Sequence, residues 1–202
     1  RENGVGGIIG YAGNAKMSGL INIGTITGEK DSVNVGGIVG NMLGGTLTGE
    51  TYNLGSVTGG WNIGGIAGQM TYGAKIGNDG GDAFQIYNQL NVDGEYNVGG
   101  IAGTLSDSTI TNAANHGNIT ATGKTDDTYS YHTAVKDKDN IPGFGNSDIF
   151  VELEKTDEDD NNVQSNLATV KVDAANVGGI VGKADGSDTA KTVIENVLND
   201  GD

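Results

Sequence analysis

The side chains in this sequence that could do chemistry are few and scattered. There are two histidines, His116 and His132, and neither sits in a His-Glu-x-x-His pair, so the zinc-ligand set of a helix-borne metalloprotease site is missing. The chain holds no Cys, which excludes thiol nucleophiles, disulfides and thiolate metal sites. No Gly-x-Ser-x-Gly elbow raises a serine, and no Gly-x-x-x-x-Gly-Lys-Ser/Thr loop is present to cradle a phosphate. His116 falls at a variable turn position and is expected to be an exposed side chain. No residue is assigned as catalytic, cofactor-binding or metal-ligating, and the chain reads as a non-enzyme.

The carboxylates are the remaining chemical resource. Asp157, Glu158, Asp159 and Asp160 form one run, and Asp137 and Asp139 a second, shorter one. Ca²⁺ takes several carboxylate and carbonyl oxygens on a flexible loop. Neither run has the EF-hand spacing, and the nonapeptide calcium repeat is absent. A solvated acidic loop is the expected state, with Ca²⁺ as the only cofactor considered. The 11 basic and 26 acidic residues leave a net charge of −15. Phosphate backbones and anionic membranes are repelled by such a chain, so nucleic acid is not expected as a partner. Acidic polysaccharides are poor substrates for the same reason. No apolar run approaches the ~20 residues needed to span a bilayer, so membrane insertion is not expected.

What would position any of these groups is a repeat. Asn34-Val35-Gly36-Gly37-Ile38-Val39-Gly40 recurs as Asn62-Ile63-Gly64-Gly65-Ile66-Ala67-Gly68, as Asn97-Val98-Gly99-Gly100-Ile101-Ala102-Gly103 and as Asn176-Val177-Gly178-Gly179-Ile180-Val181-Gly182. A first copy begins at Val5-Gly6-Gly7-Ile8. The Gly-Gly pairs are 30, 28, 35 and 79 residues apart. A second block lies between them: Asn22-Ile23-Gly24-Thr25-Ile26-Thr27, Asn53-Leu54-Gly55-Ser56-Val57-Thr58 and Asn115-His116-Gly117-Asn118-Ile119-Thr120. Asn88-Gln89-Leu90-Asn91-Val92-Asp93 is a degraded copy without its Gly, and Asn199-Asp200-Gly201 opens a fifth.

Short apolar-alternating segments punctuated by Gly and Asn read as strands and turns, and 37 Gly with a single Pro are incompatible with long helices and with collagen. One period is read as about three strands closed by three turns. No single coil can bury its Val and Ile, so neighbouring coils must supply the core. The fold class is therefore an all-β, right-handed parallel β-helix-like solenoid of about five coils, forming one domain over residues 1–202. In it the Gly-Gly pairs mark corners where a Cβ would not fit, and the repeated Asn stack as hydrogen-bonded ladders. The Ile after each Gly-Gly and the Ile or Val four residues past each second-block Asn point inward.

Asn-Val-Gly-Gly-Ile-Val-Gly followed by Asn-x-Gly-x-Val-x-Gly resembles the GLUG motif. The resemblance covers most of residues 3–120 and 176–201. It implies a repeat region of a large bacterial surface or secreted protein, as in IgA-specific metalloproteases and haemagglutinin-like adhesins, and hence an extracellular setting. In such proteins these repeats lie outside the catalytic domain.

Residues 124–175 break the pattern. They hold 12 of the 26 acidic residues, two Gly and Pro142. Ile149, Val151 and Leu153 alternate with charged or bulky residues, as do Ala168, Val170 and Val172 with polar ones, which predicts an inserted β-hairpin linked by the acidic stretch from Lys155 to Asn166. Thr25-x-Thr27, Ser56-x-Thr58 and Asn118-x-Thr120 stack on one predicted face, and Thr46-x-Thr48 and Thr109-x-Thr111 on another. The expected function is a non-catalytic adhesin or stalk at the cell surface, with a host glycan or protein as ligand. An accessory region of a secreted IgA-type metalloprotease is the alternative, and ice binding through the Thr rows a third. Arg1 in place of Met reads as an internal piece of a longer chain, with neighbouring domains of that chain capping the solenoid.

Overall fold

The computed structural model describes residues 3–78, 84–124, 128–133, 151–155, 167–171 and 175–202. Their backbone forms a parallel β-solenoid of about four turns in which five copies of the repeat lie in register. Among the described residues there is no helix, and so none that is long and apolar enough to cross a membrane.

The first four coils each contribute to five columns of short strands, not to the three expected from the period, and the last contributes to the first four of them. The first column stacks Asn3–Gly6, Val33–Gly36, Trp61–Gly64, Tyr96–Gly99 and Val177–Gly178. The second stacks Ile9–Gly13, Val39–Leu43, Ala67–Thr71, Ala102–Ser106 and Val181–Asp185. Lys16–Ser18, Thr46–Thr48 and Lys75–Ile76 begin the third column, and Ile21–Asn22, Thr51–Asn53 and Ile86–Asn88 the fourth. In the last two coils these columns run on as single strands, Thr109–Asn115 and Val193–Asn199. The fifth column stacks Ile26–Thr27, Val57–Thr58, Val92–Gly94 and Ile119–Ala121.

The extra corners come from left-handed residues that the period could not reveal. Asn34, Asn62 and Asn97 have φ of 62°, 55° and 52° inside the first column. Between the second and third columns, Asn14, Gly44, Tyr72 and Asp107 all have φ between 47° and 67°. Asn, Asp and Gly tolerate this conformation; Tyr does not do so readily.

The core is divided into two lobes. Ile38, Val39, Met42, Leu47, Ile66 and Met70 belong to the larger one, between the second, third and fourth columns. Val35, Val57, Ile63, Val92 and Val98 fill the smaller one, between the first and fifth. The Ile after each inner Gly-Gly pair is buried, and so are Val57 and Val92, as the repeat predicts. The boundary between the lobes is the Gly-Gly pair. A Cβ on Gly36 would stand 2.0 Å from the Val39 carbonyl oxygen, and one on Gly37 would stand 2.2 Å from the Gly65 carbonyl of the next coil. Neither Gly has positive φ, so space and not backbone conformation demands glycine here.

The insertion is not a simple hairpin. Val151–Lys155 and Leu167–Lys171 are strands, but they do not pair with each other. Both pair antiparallel with Thr128–Thr133, which forms the centre of a three-stranded sheet. That central strand alternates Tyr129 and Tyr131 with Ser130 and His132. Its alternation is between aromatic and polar residues, which an aliphatic period-two pattern misses.

Candidate functional site

Two amide ladders run the length of the solenoid and organise everything around them. In the first, Asn176 donates to Asn97, Asn97 to Asn62, Asn62 to Asn34 and Asn34 to Asn3, at 2.7–3.1 Å. In the second, Asn22 donates to Asn53, Asn53 to Asn88, Asn88 to Asn115 and Asn115 to Asn199, at 2.7–2.8 Å. The two ladders point their donors in opposite directions along the axis. Each Asn of the second ladder also donates to the carbonyl two residues on: Gly24, Gly55, Leu90, Gly117 and Gly201. Leu90 stands where the other copies have Gly and keeps this bond, so the degraded copy still turns the same way.

The opposite face of the fourth column carries a line of side chains that the sequence reading did not assemble. Tyr52 and Tyr87 are stacked, with centroids 4.3 Å apart and an interplanar angle of 24°. Tyr87 meets the His116 ring edge-on at 5.7 Å. His116 Nδ1 lies 2.6 Å from Asp200 Oδ1 of the last coil. His116 is thus half-buried and paired, not simply exposed. Burial first, and the neighbouring Glu50 carboxylate second, push the Tyr52 phenol above its ordinary pKa. Register makes this line: Tyr52, Tyr87 and Ala114 occupy equivalent positions, each one residue before a ladder Asn. The signal was present in the sequence as the hydrophobic residue preceding each Asn, but its aromatic stacking required knowing which copies are neighbours.

A carboxylate that orients an imidazole is one part of several reaction centres. Here the other contacts of His116 are an aromatic edge and its own column, which describes a latch between the fourth and fifth coils. His132 lies elsewhere, in the inserted sheet, at the register position opposite Glu152 and Leu167.

The acidic runs at Asp137, Asp139 and Asp157 to Asp160 lie outside the described residues. Among the described residues no group of three or more His, Asp or Glu converges as a metal site would. The Thr rows are interrupted. In the fifth column Thr27, Thr58, Asp93 and Thr120 are in register, with Ser56 Oγ donating to Thr25 Oγ1 at 3.4 Å. In the third, Lys16 and Lys75 flank Thr46, and Lys75 separates it from Thr109. An open depression of about 580 Å³ on the last coil is lined by Asp185, Ser187, Lys191, Thr192 and Ile194. Three of its polar residues are engaged within the protein: Asp185 pairs with Lys183 at 3.0 Å, Ser187 N–H donates to Asp107, and the Thr192 hydroxyl donates to the Asp185 carbonyl.

Comparison with family models, with curated proteins and with solved structures finds no match. The reading of function therefore rests on the repeat and its geometry.

Proposed function

We propose that this chain is a non-catalytic, extracellular repeat segment of a bacterial surface protein, a stiff stalk whose inserted sheet is the adhesive element. The observation that carries the reading is the continuity of the two Asn ladders across every coil–coil interface. Buried amide bonds in a low-dielectric interior couple neighbouring coils, and a stack held this way resists bending and fraying along its axis. A rod of this kind suits the role of holding something at a distance. Residues 124–175, where the sequence leaves the repeat, are the natural presenting element, because insertions in solenoids form loops on one face. Its ligand class is a host glycan or protein.

The test has two parts. The chain is pulled between its termini by force spectroscopy, and screened against host glycans and matrix proteins with and without residues 124–175. A stalk unfolds in steps of about 100 Å, the contour length of one ~30-residue coil. An adhesive insertion binds a ligand that the deletion variant has lost. Extension without discrete force peaks would overturn the stalk, and binding that survives the deletion would overturn the assignment of the insertion.

A further inference from the structure

The stacked rings of Tyr52 and Tyr87 lie inside the solenoid, on its second and third coils. Each has a neighbouring coil on its other side: Ile21 is in register with Tyr52, and Ala114 with Tyr87. Neither of those neighbours is a tyrosine, so the phenols form an isolated pair. Their centroids are 4.3 Å apart and their planes 24° from parallel. Both side chains are half-buried, and so partly open to solvent. Glu50, two residues before Tyr52, is exposed, and its carboxylate accepts a hydrogen bond from the Tyr52 phenol. Trp61 and Tyr96 also meet across a coil interface, at 4.5 Å and 37°. That pair is different in kind: Tyr96 is buried, and its phenol donates to the Lys124 carbonyl.

Two phenols held in contact are set for oxidative coupling. A phenol that loses an electron becomes a far stronger acid and passes its proton to the base it is bonded to. For Tyr52 that base is Glu50, whose exposed carboxylate hands the proton on to water. The neutral phenoxyl radical left behind carries unpaired spin on the ring carbons ortho to oxygen. Two such radicals join through these carbons, and stacking makes the step intramolecular. The two ring hydrogens at the new bond then move as protons to the two oxygens and restore both phenols. The pair has lost two electrons and two protons and gained one carbon–carbon bond. Hydrogen peroxide, acting through a one-electron peroxidase, takes up both electrons and both protons and becomes two waters.

We propose that Tyr52 and Tyr87 are an oxidative modification site, at which peroxide-driven coupling joins the two rings as dityrosine and staples the second coil to the third. Register sets the two residues directly opposite each other on adjacent parallel strands, a spacing of about 4.8 Å that a bond between the rings can bridge. The bond closes residues 52–87 into a loop, which no longer extends when the chain is pulled. The site goes beyond the stalk reading and does not rest on it, because coupling needs only the two rings and an oxidant.

The experiment treats the dilute full chain with hydrogen peroxide and a haem peroxidase, isolates the monomer and digests it with trypsin. A photo-excited ruthenium complex with persulfate, which draws electrons without docking on the rings, is the second oxidant. Cleavage after Lys30, Lys75 and Lys124 puts Tyr52 in the peptide 31–75 and Tyr87 in the peptide 76–124. The expected product is a monomer lighter by two hydrogen atoms, fluorescent as dityrosine, from which these two peptides are recovered as one. Tyr52→Phe and Tyr87→Phe each keep a ring in the stack but lose the joined peptide. Tyr72→Phe and Tyr96→Phe, which change the other tyrosines of the same two peptides, retain it. Glu50→Gln slows its formation by at least about tenfold, as loss of a positioned base does. A parent chain that yields no joined peptide with either oxidant overturns the proposal, and so does a joined peptide that persists in Tyr52→Phe or Tyr87→Phe. Equal rates for the parent and Glu50→Gln overturn the part given to Glu50.

Discussion

Gly37 lies against Asn53 so closely that a Cβ on the glycine would stand 2.4 Å from the asparagine amide carbon. The same approach recurs between Gly65 and Asn88 and between Gly100 and Asn115. The second glycine of each pair and the second-block Asn, the two most regular features of the repeat, are therefore one feature. The glycine admits the ladder into the interior, and the ladder with the glycine backbone forms the waist that separates the two lobes of the core.

That relationship predicts a sharp asymmetry among glycines. Gly37→Ala must displace Asn53 or the Gly65 carbonyl, and is expected to destabilise by about 2–4 kcal/mol, an overpacking cost compounded by a broken ladder bond. Gly24→Ala places its methyl 3.7 Å from its nearest neighbour, Asn22 Oδ1, and should lie within about 0.5 kcal/mol of the parent. Urea unfolding of the two variants measures both. Equal stabilities would show that the waist is not a packing constraint.

Asn53 is fully buried and makes both ladder bonds and the turn bond to Gly55. Asn53→Asp replaces the two donors with acceptors facing the Asn88 oxygen and the Gly55 carbonyl. Burial and these acceptors raise the new carboxyl's pKa in the fold, so the protonated form is favoured. The sign follows: the variant is least destabilised below the unfolded-state carboxyl pKa of about 4, and loses stability as pH rises through it, by roughly 3 kcal/mol or more at pH 7. Melting temperatures at pH 4 and pH 7, parent against variant, test this.

The Tyr11 phenol is pushed up by burial and, secondarily, by Tyr72. A raised phenol pKa means the fold prefers the neutral ring. Its contribution is complete below about pH 10 and is lost as pH rises through the folded-state value. Tyr11→Phe should therefore flatten the decline in melting temperature between pH 10 and 11.5 while leaving it nearly unchanged at pH 7. An identical alkaline decline in both proteins would contradict the shift.

Removing residues 124–175 should leave the solenoid intact. In the inner coils the fifth column passes to the first through few residues: Gly59 and Gly60 between Thr58 and Trp61, and Glu95 alone between Gly94 and Tyr96. The deletion leaves Thr122, Gly123 and Asn176 between Ala121 and Val177, a link of comparable length. The variant is expected to keep the parent's β-type far-ultraviolet spectrum and to melt within a few degrees of it. Loss of that spectrum would mean the insertion is integral to the coil.

What the amino-acid order determined by itself was everything that repeats. A residue present in every copy of a solenoid has the next copy as its neighbour, so Asn22, Asn53, Asn88, Asn115 and Asn199 could be read as a ladder, and Ile38, Ile66 and Ile101 as core, without coordinates. The tertiary structure alone decided what does not repeat or does not show as period two. The five columns depend on left-handed corners filled by residues as unlike as Asn14, Gly44, Tyr72 and Asp107. Thr128–Thr133 became the centre of the inserted sheet because long-range pairing selects partners that local pattern cannot. The line from Tyr52 through Tyr87 and His116 to Asp200 exists only once 84 residues of chain bring coil five onto coil four. Repetition fixes contacts by symmetry, and wherever the symmetry lapses the chain's path in space has to supply them.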